Sequence, residues 1–296
     1  MEEKEFKKYM DAGRICKKVQ EKAKNFAVPG VKLLDLAEKI ENEIETMGGK
    51  PAFPVNLSLN NNAAHYTPSF EDKTVIEAKD VLKIDIGVHC EGFIADSAFT
   101  VDFSGKNQKM VEASEKALEK AIEITKVGTK IGELGAIIEK TIRSYGFNPI
   151  QNLSGHGLAE YLTHAAPSIP NIAKRDEREI EEGKAYAIEP FACNGKGFVK
   201  ETQKAEIFSL IRTQPVRNME ARKILLMAEK EYKRLPFAER WLIKELGQTK
   251  TKLALRELMQ RNCIEMHPTL REEKEVMVTQ TEATIITKEK EVIRIV

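Results

Sequence analysis

Gly30-Val31-Lys32-Leu33-Leu34-Asp35-Leu36-Ala37-Glu38-Lys39-Ile40-Glu41-Asn42-Glu43-Ile44-Glu45-Thr46-Met47-Gly48-Gly49-Lys50-Pro51 has a second copy in this 296-residue chain, at residues 128–149. The copies align without gaps at a shift of 98 residues, with identities at Gly30/Gly128, Lys32/Lys130, Leu36/Leu134, Ile40/Ile138, Glu41/Glu139, Ile44/Ile142, Gly48/Gly146 and Pro51/Pro149. Leu33, Leu36, Ile40 and Ile44 recur at three- and four-residue spacing, as do Ile131, Leu134, Ile138 and Ile142, so each copy predicts an amphipathic helix. Gly48 and Gly146 supply the C-terminal stop, and a Pro follows each. The match continues into Asn56-Leu57-Ser58 and Asn152-Leu153-Ser154. Shared stop chemistry and a shared tripeptide argue against chance likeness between two helices.

Working outward, a further helix is expected before each copy, at residues 6–27 and 109–126, and strands after each. Val81-Leu82-Lys83-Ile84-Asp85-Ile86-Gly87 and residues 93–101 are apolar-alternating runs, and Ala185-Tyr186-Ala187-Ile188-Glu189 matches the first of them. Each half therefore reads helix, helix, strand, strand, and the whole is an α+β fold with pseudo-twofold symmetry. Residues 214–266 break the pattern. They are helical and highly charged, with helices expected at 219–234 and 250–261, and they read as a subdomain inserted into a main domain of 1–213 and 267–296.

Composition narrows the classes of function. The 47 basic and 46 acidic residues leave a net charge of +1, which supplies no argument for a specific nucleic-acid partner or an anionic membrane. No apolar core follows the charged Met1-Glu2-Glu3-Lys4-Glu5 start, and no run of about 18 apolar residues occurs, so neither a secretory signal nor a membrane span is expected. Cys16, Cys90, Cys193 and Cys263 form no CxxC pair and read as free thiols of a cytoplasmic protein.

The chemistry-bearing residues follow from the repeat. A hairpin through His89-Cys90-Glu91-Gly92, centred between Cys90 and Glu91, would place Asp85 directly across from Asp96, with Cβ atoms roughly 4.5–5.5 Å apart. Two facing carboxylates among apolar residues need a shared proton or a divalent cation. The repeat makes Glu189 the mate of Asp85. The mate of Asp96 should then lie on the strand after the insertion, whose only carboxylate between Val278 and Ile285 is Glu282. Any one of these acids alone would read as a solvent-facing strand residue; four related by a repeat do not. His156, in Ser154-Gly155-His156-Gly157, is the fifth candidate, its glycines allowing close approach to a ligand. Four carboxylates and an imidazole form a hard, oxygen-rich set suited to two divalent ions. His65 and His164 are open between structural and functional roles, His89 is expected to be solvated, and His267 is ambiguous.

Pro51-Ala52-Phe53-Pro54-Val55-Asn56-Leu57-Ser58, Ala63-Ala64-His65-Tyr66-Thr67-Pro68, Lys83-Ile84-Asp85-Ile86-Gly87, Asn152-Leu153-Ser154-Gly155-His156 and Ala187-Ile188-Glu189-Pro190 together resemble the type II methionine aminopeptidases, over the whole chain and including the helical insertion. A compact archaeal-type member is the nearer comparison. The resemblance implies the pita-bread fold and removal of the initiator Met from nascent chains whose next residue is small. It implies a dinuclear centre, filled by Co, Mn, Fe or Zn, with Asp85, Asp96 and Glu282 on one ion and Asp96, His156, Glu189 and Glu282 on the other. It makes His65 and His164 substrate-contacting catalytic residues, with His164 stabilising the oxyanion, and Phe53 part of the methionine pocket. A monomer with transient ribosome association is expected. The chain departs from the family at Thr281, Ala283 and His267, where the family has Phe, His and Tyr. The rival readings are a proline-specific peptidase of the prolidase or aminopeptidase P kind, which carries a separate N-terminal domain, and a metal-free pita-bread binding module, which loses ligands that this chain keeps.

Overall fold

The computed structural model, which describes residues 1–296, builds the duplication helix for helix. α1 (Glu3–Phe26) is followed by α2 (Leu33–Thr46), and α3 (Gln108–Ile124) by α4 (Ile131–Ser144). The two repeat helices have 14 residues each and are entered from extended residues at Lys32 and Lys130 with matching angles (φ −73°, ψ 139° and φ −71°, ψ 138°). Both end on a left-handed glycine, Gly48 at φ 86° and Gly146 at φ 87°. Any other residue in that conformation would cost about 1–2 kcal/mol.

Leu33, Leu36, Ile40 and Ile44 of α2, and Ile131, Leu134, Ile138 and Ile142 of α4, are all buried. Each such side chain contributes about 1.5–3 kcal/mol when removed from water. Strand alternation then decides what faces inward. On the Val81–Cys90 strand, Ile84, Ile86 and Val88 join the core under α1 and α2, while Asp85 and Gly87 point the other way, towards the second half. Tyr186, Ile188 and Ile285 join the corresponding core under α3 and α4.

The halves are joined through hydroxyls. Thr284 Oγ1 accepts from the Asp96 N–H at 2.8 Å and donates to the Asp96 carbonyl at 2.7 Å. Ser97 Oγ donates to the Glu282 carbonyl at 2.8 Å, and Thr100 Oγ1 donates to that of Gln280 at 2.7 Å. The Phe93–Asp102 strand is thus held against residues 280–284, and both carry candidate ligands.

Two expectations are corrected. The hairpin turns at Glu91-Gly92, both at positive φ (49° and 95°), so Cys90 pairs with Phe93 and Asp85 faces Ala98, not Asp96. A tight two-residue turn with matching strand twist requires positive φ at both central positions, and Gly92 supplies one of them. Asp96 instead faces Gly87, so the two acids are diagonal neighbours on one face, at roughly 7–8 Å. The slip of two residues preserves the face and widens the gap to a width that an ion can fill. His89 is buried rather than solvated. Its Nδ1 accepts from the Gly92 N–H at 3.0 Å, and its ring packs edge-on against Tyr161.

The second half carries a break at Pro190. The Ala185–Ile188 strand pairs with Ala283–Lys288, and Phe191–Cys193 with Val278–Gln280. Between them the ladder thins to one bond, from the Thr281 N–H to the Pro190 carbonyl at 3.2 Å, because Pro190 has no N–H to give and the Glu282 N–H turns to the Ala98 carbonyl at 2.9 Å. Counting from Ile188↔Ala283 and Phe191↔Gln280 puts Glu189 across from Glu282. Those two acids sit at steps between strands rather than within them.

The helical block has its own apolar core, built by α5 (Met219–Met227), α6 (Glu239–Leu246) and α7 (Gln248–Gln260) with Phe208 and Ile264. The expected single helix over 219–234 gives way after Met227 to a π-helical turn, Ala228–Tyr232; the expected helix at 250–261 is α7, and α6 lies between. Strands Ile207–Leu210 and Ile264–His267 pair at its base. It docks on α2 through buried Arg240, whose guanidinium is ion-paired to Glu41 and also donates to Thr67 Oγ1 (2.6 Å) and the Pro68 carbonyl (3.2 Å). Glu41 further accepts from Trp241 Nε1 (2.9 Å) and the Val55 N–H (3.1 Å). No helix is long and apolar enough to cross a membrane.

Removing one partner of a buried pair leaves the other charge uncompensated. Arg240→Leu is expected to lower unfolding stability by about 3–5 kcal/mol in urea titration, with part recovered in Arg240→Leu/Glu41→Leu. A loss no larger than that of an exposed ion pair would mean that this contact does not hold the block in place.

Candidate metal centre

The inward faces of the two halves converge on one cleft, lined among others by Phe53, His65, Asp85, Asp96, His156, His164, Glu189 and Glu282. All eight residues singled out from the sequence are therefore brought together. Asp96, His156 and Glu282 each offer a ligand atom, all within 4.8 Å of one another. His156 Nε2 lies 3.6 Å from Glu189 Oε1 and 3.9 Å from Asp96 Oδ2. Asp85 stands to one side, its Oδ2 accepting from Gln280 Nε2 at 3.2 Å.

His156 is on the Ser154–Ala159 strand beside Ala187, one step before Ile188-Glu189. Its Nδ1 is 3.3 Å from the Gly157 carbonyl, which turns Nε2 towards the carboxylates. The flanking glycines serve the neighbouring strands rather than a ligand. A Cβ on Gly155 would meet the Ala187 oxygen at 2.4 Å, and one on Gly157 the Ala166 oxygen at 2.4 Å. Gly87 has a related use, since a Cβ there would lie 2.2 Å from the Phe53 ring. Its absence lets that ring lie beside Asp85.

Burial and mutual repulsion dominate the electrostatics. Desolvation pushes the Asp85 carboxyl up to about 7. Desolvation followed by repulsion from their neighbours holds Asp96, Glu189 and Glu282 well above the usual carboxylate range. Burial, then the nearby His164, keeps the His156 imidazole neutral. Asp85 Oδ1 and Asp96 Oδ1 have no hydrogen-bond partner at all. Clustered carboxylates with orphaned oxygens and a neutral imidazole aimed at them fit hard divalent ions, which would supply the missing positive charge.

The other histidines line the approach. The His164 ring is 4.5 Å from that of His156, and His65 lies 6.4 Å from His164 and 6.1 Å from His267. Burial and neighbouring imidazoles hold His65 down to about 3 and His164 to about 4, so both are neutral at pH 7. His267 Nε2 is 2.8 Å from Ser209 Oγ. Thr281 meets Ser114 of α3, hydroxyl to hydroxyl at 3.0 Å, and Ala283 is fully buried. Sequence reasoning missed Asn56, Thr163, Ile207 and Pro236, which also line the cleft. Ile207 and Pro236 carry no polar signal, and only the docking of the helical block brings Pro236 there.

A buried acid cluster between the halves of a duplicated α+β fold defines a metallohydrolase architecture. The chain belongs to metallopeptidase family M24, whose sequence pattern matches residues 7–215. The methionine aminopeptidases of Pyrococcus horikoshii and Pyrococcus abyssi are each 50% identical to it, over 94% and 97% of this chain and 95% and 97% of their own. That of Methanocaldococcus jannaschii is 44% identical over 98% of this chain and 97% of its own. Among solved structures, a thermophilic Arx1 (TM-score 0.86, 19% identity, all of this chain and 91% of that one) and the methionine aminopeptidase of Rickettsia prowazekii (TM-score 0.72, 18% identity, 100% and 98%) share the pita-bread fold.

Carboxyls raised in the folded state stabilise it where they are protonated. That contribution is complete below their unfolded value near 4 and is lost as pH rises through the folded value, about 7 for Asp85. The metal-free protein is therefore expected to melt at a lower temperature at pH 8 than at pH 5.5 by a margin that shrinks in Asp85→Asn, and divalent ions should raise the pH 8 value most. Parallel melting curves for the two proteins across this range would show that the cluster is not under electrostatic stress.

Proposed function

We propose that this chain acts as a type II methionine aminopeptidase, releasing the initiator Met from nascent polypeptides whose second residue is small. The observation that carries the reading is 50% identity to methionine aminopeptidases over nearly the full length of both chains. Asp85, Asp96 and Glu282 would hold one divalent ion, and Asp96, His156, Glu189 and Glu282 the other. Two such ions (Co, Mn, Fe or Zn) supply Lewis acidity to water and to a peptide carbonyl.

The remaining residues act on the peptide. His164, neutral at working pH and beside His156, donates a hydrogen bond to the carbonyl oxygen as negative charge grows on it. His65, on the same wall, hydrogen-bonds the peptide and assists proton transfer. Phe53 forms the apolar surface for the methionine side chain, and Ile207 and Pro236 narrow the same cleft. The protein is read as a cytoplasmic monomer that associates transiently with ribosomes. Residues 214–266 carry 12 Lys and Arg against 7 Asp and Glu, so this block is positive although the chain as a whole is near neutral. A positive exposed block suits contact with an anionic ribosomal surface. The proline-specific alternative has less support: the prolidase of Pyrococcus furiosus is 19% identical and this chain covers 64% of it.

Metal-dependent release of Met from Met-Ala-Ser and Met-Pro peptides, with Ala-Pro peptides left intact, is the expected outcome; preferential cleavage of Ala-Pro would replace this reading with the proline-specific one. Asp96→Asn should abolish turnover without loss of metal-free stability, and near-native turnover in that variant with added metal would remove the dinuclear centre from the mechanism. His164→Ala should lower kcat by about 100-fold while metal content stays unchanged. Equal loss of both would make His164 structural.

A further inference from the structure

Asn56 opens the Asn56–Leu59 strand directly across from Asp85 and is 4% exposed. Its Nδ2 donates to the Pro54 carbonyl at 2.7 Å, which fixes the orientation of the amide and leaves Oδ1 as the free acceptor. Oδ1 has no hydrogen-bond partner, although the side chain lines the cleft. A buried acceptor left unmade costs about 1–3 kcal/mol.

Its mate in the repeat shows what a purely structural asparagine looks like here. Asn152 uses both ends of its amide on one residue, donating to the Val199 carbonyl at 2.8 Å and accepting from the Val199 N–H at 3.0 Å. Asn56 makes only the donor half of that pattern, and the residue whose acceptor is left unused is one that lines the cleft. The other orphaned oxygens of the cleft, Asp85 Oδ1 and Asp96 Oδ1, belong to carboxylates and suit cations. An uncharged amide oxygen beside them adds no compensating charge. It suits an N–H donor held next to the cations.

Resting on the aminopeptidase reading, we propose that Asn56 Oδ1 accepts a hydrogen bond from the free α-amino group of the substrate, so that Asn56 helps to confine cleavage to the first peptide bond. The amine is the one N–H donor that every substrate of an aminopeptidase brings to the metal side of the cleft. Asn56 is then a substrate-binding residue specific for the N-terminus rather than for the methionine side chain.

The test compares binding of L-methionine with that of its des-amino analogue, 4-(methylthio)butanoate, to the metal-loaded protein by calorimetry. In Asn56→Leu, methionine is expected to bind about tenfold more weakly while the analogue changes by less than about twofold. KM for Met-Ala-Ser should rise by a similar factor with kcat little altered. Equal weakening of both ligands, or no change in either, overturns the proposal. Asn56→Ala, which removes the acceptor without adding bulk, carries the same readout if the Leu variant does not fold. Failure of the aminopeptidase reading would appear separately, as no release of Met by the unsubstituted protein.

Discussion

Four carboxylates that repel one another, Asp96 and Glu282 buried and Asp85 and Glu189 partly so, meet between two half-domains, and the rest of the structure is arranged so that this is tolerable. Each half supplies two acids, the first from within its strands and the second from the steps between them, and helix pairs seal the opposite face of each sheet. The helices take the apolar face, so the acids are driven inward and towards each other. Hydroxyls of Ser97, Thr100 and Thr284 hold the halves together along the edge that carries Asp96 and Glu282. What remains uncompensated is negative charge, which is the condition for holding divalent ions.

Duplication explains the ligand count but not the chemistry. Function arises where the halves differ. His156 has no ionisable counterpart in the first half, and it brings a neutral nitrogen to an otherwise oxygen-lined centre. Asn56 and Asn152 begin equivalent segments, yet Asn152 is satisfied at both ends by the Val199 backbone, whereas Asn56, which lines the cleft, makes only its donor bond. The helical block has no equivalent either, and its Arg240 reaches the segment that follows His65 through Thr67 and Pro68. One wall of the cleft is thus held by a buried ion pair at some remove from the metals.

Much of this is legible in the amino-acid sequence alone. Helix spacing and paired glycine stops revealed the duplication, and the duplication named Asp85, Glu189, Asp96 and Glu282 as a set. The face of each strand was legible as well, because alternation depends only on parity. Register was not. A slip of two residues leaves every side chain on its face, so the apolar pattern that locates Asp85 and Asp96 cannot distinguish opposite from diagonal. The solvation of His89 was misjudged for a related reason, since nothing local announces that Tyr161 will cover it.

The chain by itself therefore determined the elements, their pairing into two halves, and the inward set of acids, all of which follow from short-range periodicity and repetition. The folded structure decided the diagonal spacing of Asp85 and Asp96, the approach of His164 to His156, and the orphaned oxygen of Asn56. Each of these depends on a turn conformation or on contacts between residues far apart in sequence, which move an atom by a few ångströms. Periodicity carries no information at that scale, and the chemistry of the cleft is set there.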